Sequence, residues 1–459
     1  MSTPPHCRSA GQWTPVLALA GAALTLSACV AYAPAPVRLD AYPDRRAATQ
    51  LSAPADGHDW TGAELLAEAL RNNPAVAEAA AKYRTARAAA KVSHVPPPAS
   101  LTLTAEYAKS EPKQWLYGAT SGIPLDIGGR RQTRIDAADL AALQALYDYG
   151  EAVWTIRTAL AKARTERAFA DAEVAQAREV EVVRQTRADR LDRRVAAGED
   201  DRSLALTARG ELETARRRVS DAQSRRAAAD AAMAGALGVP VLAVRDLRLA
   251  PATTMPNTLD VPAAARAAAL TRRDVLRAVV DYDLAEGALR LEIAKQYPEV
   301  RIGPGYTYDH GVAKLPFNLA LTLPPQDLNR AAIAQAEAKR AEAGRSLEAV
   351  QAAALTAVDA AEAATTAARV AANQVQSRDI PNADALAATT ARSLAAGAAD
   401  RVDDLGARAL ALETRLTLLD ARKAQALAEI DLEDALRAPF DPAELILLET
   451  TSRTLGDGQ

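Results

Sequence analysis

Cysteine is nearly missing from these 459 residues, with two copies, Cys7 and Cys29. Cys7 lies ahead of a short apolar run that reads as a cleaved leader. A mature chain would keep Cys29 alone, which excludes a disulfide framework. Histidine is almost as rare, with four copies. His6 and His58 stand outside the patterned part of the chain, and His94 and His310 have no second ligand at metal spacing, so neither a metal nor another cofactor is expected. No Ser, Cys or carboxylate constellation stands out, and "DIGGR" lacks the strand–loop–helix setting and Lys-Ser/Thr of a phosphate loop. The chain reads as a non-enzyme. Aromatic residues make up 4%, with three Phe, which argues against a thick globular core. The abundance of Ala, Leu, Arg and Glu points to helices packed side by side. A net charge of −3, with arginines interleaved among acids and alanines, offers no basic stripe and excludes nucleic acid as the expected partner.

The apolar run "VLALAGAALTLSA", residues 16–28, has 13 residues. That suits a signal-peptide core and is too short to span a bilayer as a helix. It ends in "LSAC", which resembles the bacterial lipobox, so Cys29 is expected to be acylated and to become the first residue. Val30 follows, not the Asp that retains many lipoproteins at the inner membrane, so outer-membrane sorting is the reading. The Pro-rich, polar stretch after it is a tether.

Two stretches interrupt long Ala- and Arg-rich runs in the same way: "VAAGEDDRSLAL" around Gly198 and "LAAGAADRVDDL" around Gly397. The glycines are 199 residues apart. The same offset places Val76 on Val275, Tyr83 on Tyr282 and Tyr107 on Tyr306, and it drifts by no more than one residue near "IPLDIGGRRQTRIDAAD" and "LPPQDLNRAAIAQAE". The chain therefore consists of two copies of one unit. The expected division is a leader at 1–28, a lipidated tether at 29–60, repeat one at 61–237, a connector at 238–260, repeat two at 261–437 and a tail at 438–459.

Each repeat has the same plan. In the first, a helix opens at Thr61 and runs until "PPPAS". Strands are expected at about 101–107 and 114–125, a helix from about Gly128 to Ala196, and a return helix to Leu237. Along the long helix Leu146, Tyr149, Val153, Ile156, Leu160 and Ala163 are spaced as a coiled-coil seam. In the second, a helix covers Val261 to Gln296, strands about 299–309 and 314–323, and a helix Asn329 to Ala396. The return helix carries Leu405, Ala409, Leu412, Leu416 and Leu419, is interrupted once by Lys423, and resumes at Ala426 and Ile430. Gly198 and Gly397 read as left-handed helix C-caps, so each break is the tip of an antiparallel helical hairpin.

Seven of the aromatics (Tyr107, Trp115, Tyr117, Tyr297, Tyr306, Tyr308 and Phe317) lie in or beside the strands. They read either as the interfacial girdle of a membrane barrel or as the core of a small soluble sheet. The leader and the lipobox favour the barrel. Four strands cannot close one, so several chains would have to share it.

These features together resemble the TolC-type outer-membrane factors, a family of outer-membrane efflux lipoproteins. The residues that carry the likeness are "NNPAV" and "RRDVL" opening the two repeats, "YPEV" leading into a strand, the two segments leaving the strands, and the paired "AAG" tips. They cover about residues 61–437. The sequence departs from the family at Leu125-Asp126-Ile127-Gly128-Gly129, where Leu-Phe-Asp-Gly-Gly is common, and further at Pro324 to Arg330.

The resemblance implies a mainly α fold with a small β part: two tandem helix–strand–strand–hairpin repeats that trimerise into a 12-strand barrel continued by a helical periplasmic tunnel. It implies a passive exit duct that works with a periplasmic adaptor and an inner-membrane transporter. The adaptor would dock at the tips, at Ala197, Gly198, Ala396 and Gly397, although the alanines could equally pack the arms of each hairpin. Asp403 matches a carboxylate that lines the family's narrow periplasmic entrance, with Asp404 beside it. The alternative role for these acids is to serve the dipole of the helix they open. A lipid-anchored periplasmic coiled-coil scaffold without channel activity is the competing reading of the whole chain.

Overall fold

A computed structural model describes residues 32–52, 57–251 and 269–457, with side chains to 451. The expected leader and Cys29 lie outside the described residues. The chain divides at Ala48. The first unit contains one described helix, α1 (Ala41–Ala48); everything below concerns the second.

Repeat one opens with α2 (Gly62–Asn72) behind a capping box in which Thr61 and Glu64 exchange hydrogen bonds. The expected single helix over 61–94 is broken. Pro74 removes an amide donor, and Asn73 turns the chain by accepting from the Ala75 amide at 2.8 Å and donating to the Ala236 carbonyl at 2.8 Å. α3 (Pro74–His94) follows, then strands β1 (Ser100–Tyr107) and β2 (Trp115–Leu125). The 67-residue α4 (Arg130–Ala196) runs about 100 Å at the usual rise per residue. Its hairpin partner α5 (Arg202–Leu237) buries Ala205, Ala208, Leu212, Ala215, Val219 and Ala222. That alternation of three and four is the period of a coiled-coil seam, and its small side chains let the two helices approach closely.

Gly238 ends the hairpin in the left-handed region, and a Cβ there would come within 2.6 Å of the Asn72 carbonyl, so only glycine fits. The connector is less irregular than its sequence suggests. It makes a 3-10 turn at Val241–Ala243, and Leu249 forms a parallel bridge with Trp60.

Repeat two has α6 (Arg273–Ala294), β3 (Glu299–Asp309), β4 (Val312–Lys314), β5 (Phe317–Thr322), α7 (Arg330–Gln374), α8 (Ile380–Ala395) and α9 (Arg401–Leu436). α3 and α6, β1 and β3, and α5 and α9 each begin 199 residues apart. The expected strand at 314–323 is interrupted because Pro316 has no amide to donate; its carbonyl instead accepts from the Gly305 amide at 2.9 Å. The expected helix over 329–396 is also modified. Pro381 cannot complete an ordinary turn, and a π-helical segment, Val375–Asp379, separates α7 from α8. Lys423, the residue that interrupts the seam of α9, lies at the same level, where Arg422 donates to Gln376 at 2.7 Å.

The tail forms a helix, α10 (Pro442–Asp457). It docks Leu448 into the largest apolar cluster, beside Trp60, Leu65, Leu66, Trp154, Met233 and Leu237.

Candidate membrane-spanning sheet and hairpin tips

The strands form one antiparallel sheet in the order β1-β2-β3, with β4 and β5 both on the far side of β3. Residues alternate between faces along a strand, so the register decides what each face contains. Leu101, Leu103 and Tyr107 lie on the same face as Trp115, Tyr117, Ile123 and Leu125 of β2. The pairs Tyr117–Tyr308, Ile123–Ile302 and Leu125–Val300 carry that face into β3, and Ile302–Leu319 and Val300–Leu321 carry it into β5. The opposite face presents Thr102, Thr104, Glu106, Thr120, Arg301 and Asn318.

The apolar face is bare. Leu103 is 74% exposed, Phe317 67% and Leu319 57%, and a patch of this size in water is an interaction surface or an aggregation site. Its aromatics cluster towards the turns between strands. The Tyr107 and Trp115 rings meet edge to face at 5.2 Å, and Tyr117 stacks on Tyr308 at 4.9 Å. Gly118, Gly122, Gly303 and Gly305 all lie on the polar face. A Cβ at Gly303 would come 2.5 Å from the Ser121 carbonyl, and one at Gly305 2.7 Å from the Ala119 carbonyl. With the crowding relieved on that face alone, the sheet can curl with its polar side concave. β1 and β5 leave unpaired outer edges, which favour pairing with another chain. Among the described residues, no helix is long and apolar enough to cross a membrane.

Both hairpin tips turn through the expected glycines, Gly198 at φ 77° and Gly397 at φ 71°, with open space around each Cα. Ala196, Ala197, Ala395, Ala396 and Ala398 are exposed, not packed between the hairpin arms. The acids differ from one another. Asp400 caps α9 by accepting from the Val402 amide at 3.3 Å, and Asp403 completes the box by accepting from the Asp400 amide at 3.4 Å. Asp403 is nevertheless exposed, while Asp404 is fully buried and ion-paired to Arg401 at 3.3 Å and Arg408 at 3.1 Å.

Sequence reasoning missed Arg194, which pairs with Asp200 of its own tip at 2.8 Å and with Asp400 of the other. Val402 also joins Ala188, Leu191, Ala205, Ala208 and Leu212 in an apolar cluster, so the two hairpins are held together near their ends. The only available signal was a basic residue in a last helical turn near two acidic segments. His94 and His310 face single carboxylates, Asp139 at 3.1 Å and Asp309 at 2.7 Å.

A sequence model described as outer membrane efflux protein matches residues 65–239. A comparison with curated proteins finds no match. Among solved structures, the chain is similar to the outer-membrane protein VceC of Vibrio cholerae, at 19% identity and a TM-score of 0.68, covering 83% of this chain and 97% of that one. The Campylobacter jejuni outer-membrane channel CmeC shares 13% identity with a TM-score of 0.69, over 93% of this chain and 98% of that one. The open-state Neisseria gonorrhoeae channel MtrE shares 18% with a TM-score of 0.65, over 82% and 89%.

Proposed function

We propose, for a chain that carries the sequence model of outer-membrane efflux proteins in its first repeat and the fold of outer-membrane channels over most of its length, that it is the passive exit duct of a tripartite efflux pump. One observation carries the reading: a sheet with one bare apolar face, one polar glycine-bearing face and two open edges. A bilayer accepts strands only when no edge is left unpaired. Three chains of four strand positions, with β4 and β5 counted as one interrupted strand, would supply 12 strands to a shared barrel. The apolar face would meet lipid and the polar face would line the lumen. The long hairpins would extend into the periplasm towards an adaptor and, through it, an inner-membrane transporter that provides the energy.

The purified chain tests this directly. An oligomer that survives sodium dodecyl sulfate and conducts ions in planar bilayers is the expected result. A chain released by mild detergent, without a resistant oligomer and without conductance, would overturn the duct in favour of a lipid-anchored scaffold.

The proposed roles of the tips follow. Exposed Ala197 and Ala396 leave room beside Gly198 and Gly397 for a hairpin of the adaptor, and a ring of Asp403 would make the narrow entrance favour cations. Ala197→Glu or Ala396→Glu is expected to leave the oligomer and its conductance intact while stopping efflux in cells; normal efflux would remove the docking role. Asp403→Asn is expected to change cation selectivity at unchanged stability. Unchanged selectivity with a lower melting temperature would leave Asp403 as a helix cap only.

Anchoring is proposed at Cys29, motivated by "LSAC" closing the short apolar run. Cys29→Ser should abolish labelling by a fatty-acid probe while the barrel still holds the chain in the membrane. A labelled variant, or a mature terminus elsewhere by mass spectrometry, would refute it.

A further inference from the structure

Where the sheet meets the helices, the chain gathers positive charge. The Arg130 guanidinium, in the first turn of α4, donates to the Ala294 carbonyl at 3.0 Å and the Tyr297 carbonyl at 2.6 Å, and pairs with Glu299 at 2.6 Å. Arg131 donates to the His94 carbonyl at 2.7 Å, and its Nε is buried without a hydrogen-bond partner. Arg134 and Arg301 are exposed, and among the described residues neither makes an ion pair with a carboxylate. All four arginines line one cavity of about 690 Å³. Arg130 and Arg134 also line a neighbouring one of about 390 Å³ that contains Lys295. Against these charges the larger cavity has two acids: Glu299, already paired, and Asp126, whose carboxylate accepts from the Arg131 amide at 3.1 Å.

The register fixes the side on which this charge lies. Arg301 stands opposite Pro124 on β2, in the row of the polar face, and Glu299, which Arg130 grips, is on that face two residues before it. Arg134 sits one turn beyond Arg130.

We infer that Arg134 and Arg301 form an anion-preferring collar in the lumen at the root of the sheet, and that the collar favours cargo or ions with carboxylate or phosphate groups. The inference rests on the duct reading, because the collar closes only when several chains share a lumen. Guanidinium groups remain charged at any working pH, and a passage walled by low-dielectric protein focuses their field on passing ions. The collar opposes in sign the acid ring proposed at the tips, at the other end of the helices.

The test measures reversal potentials of the full-length assembly in a potassium chloride gradient. The double variant R134Q/R301Q is expected to lower the chloride-to-potassium permeability ratio by about threefold, consistent with losing a potential of order kT, and to weaken block by added inorganic phosphate. The charge-retaining R134K/R301K should behave like the wild type, which separates loss of charge from loss of fold. Conductance with an unchanged ratio in R134Q/R301Q would overturn the collar alone. No conductance from the wild-type assembly would overturn the duct and the collar together.

Discussion

Lysine at Leu103 and Leu319 together is expected to eliminate the membrane-inserted oligomer, whereas lysine at Thr102 should leave it unchanged. Leu103 lies midway along β1 and Leu319 midway along β5, both on the bare apolar face. Thr102 is the neighbour of Leu103 on the opposite face. If the apolar face meets lipid, each lysine near the bilayer midplane costs about 2–4 kcal/mol, and a symmetric assembly takes that cost in every chain at both positions. Thr102→Lys, with its side chain in water, would take almost none. Membrane fractionation and the gel mobility of unheated samples report the outcome. Normal insertion of Leu103→Lys/Leu319→Lys would mean that this face packs against protein or water, and the barrel reading would be lost. Thr102 and Leu103 are adjacent on β1 and point to opposite faces, so a difference between the variants reports the face.

The feature that carries this prediction is legible in the sequence. Alternation in "LTLTAEY" separates Leu101, Leu103 and Tyr107 from Thr102, Thr104 and Glu106, and the 199-residue offset locates β3 from β1. Hairpin tips are equally legible, because Gly198 and Gly397 recur at the 199-residue offset, each followed by acids that suit the start of a new helix. Gly150, Gly210 and Gly344 have no glycine at that offset and lie inside helices.

Features set by single backbone groups or by distant partners were harder to read. Pro74, Pro316 and Pro381 were visible as letters. Whether a proline breaks a helix, splits a strand or widens a turn depends on which carbonyl is left without its donor, and that is a property of the packed chain. The connector and the tail have no strong period, and their order comes from elsewhere: Leu249 bridges Trp60, and Leu448 fills a core built by repeat one. The link between Arg194 and Asp400 joins residues some two hundred positions apart. It follows from the packing of one hairpin on the other, which neither repeat specifies alone.

The second large effect is expected at Arg157, where Arg157→Met should cost about 3–5 kcal/mol, the range for removing one partner of a buried ion pair. The Arg157 side chain is 4% exposed and pairs with Glu433 of α9 at 2.6 Å and Glu444 of α10 at 2.7 Å. Its guanidinium also lies 5.3 Å from the centre of the Trp154 ring, whose indole N–H donates to Asp434 at 2.7 Å. One side chain thus ties the long helix of repeat one to the return helix of repeat two and to the C-terminal helix. Burial pushes the Arg157 pKa down, but the two carboxylates outweigh it and hold the guanidinium charged.

Burial pushes the Glu433 carboxyl above its usual range, partly offset by Arg157 and by the Phe440 amide. A carboxyl raised on folding binds more protons in the folded state, so its ionisation costs stability as pH rises from the unfolded value through the folded one. Arg157→Met removes the main offset and raises Glu433 further. The loss should therefore be greatest at neutral pH and shrink as the solution is acidified towards the ordinary carboxyl range. Adding Glu433→Gln and Glu444→Leu should recover much of the stability, since the side-chain carbonyl that Glu433→Gln retains can still accept from the Phe440 amide. Thermal unfolding of the two variants and the wild type at neutral and mildly acidic pH reads all three effects. A loss in Arg157→Met that is small, or equally large at both pH values, would show that Arg157 acts through its packing and not as the counter-charge of the two buried carboxylates.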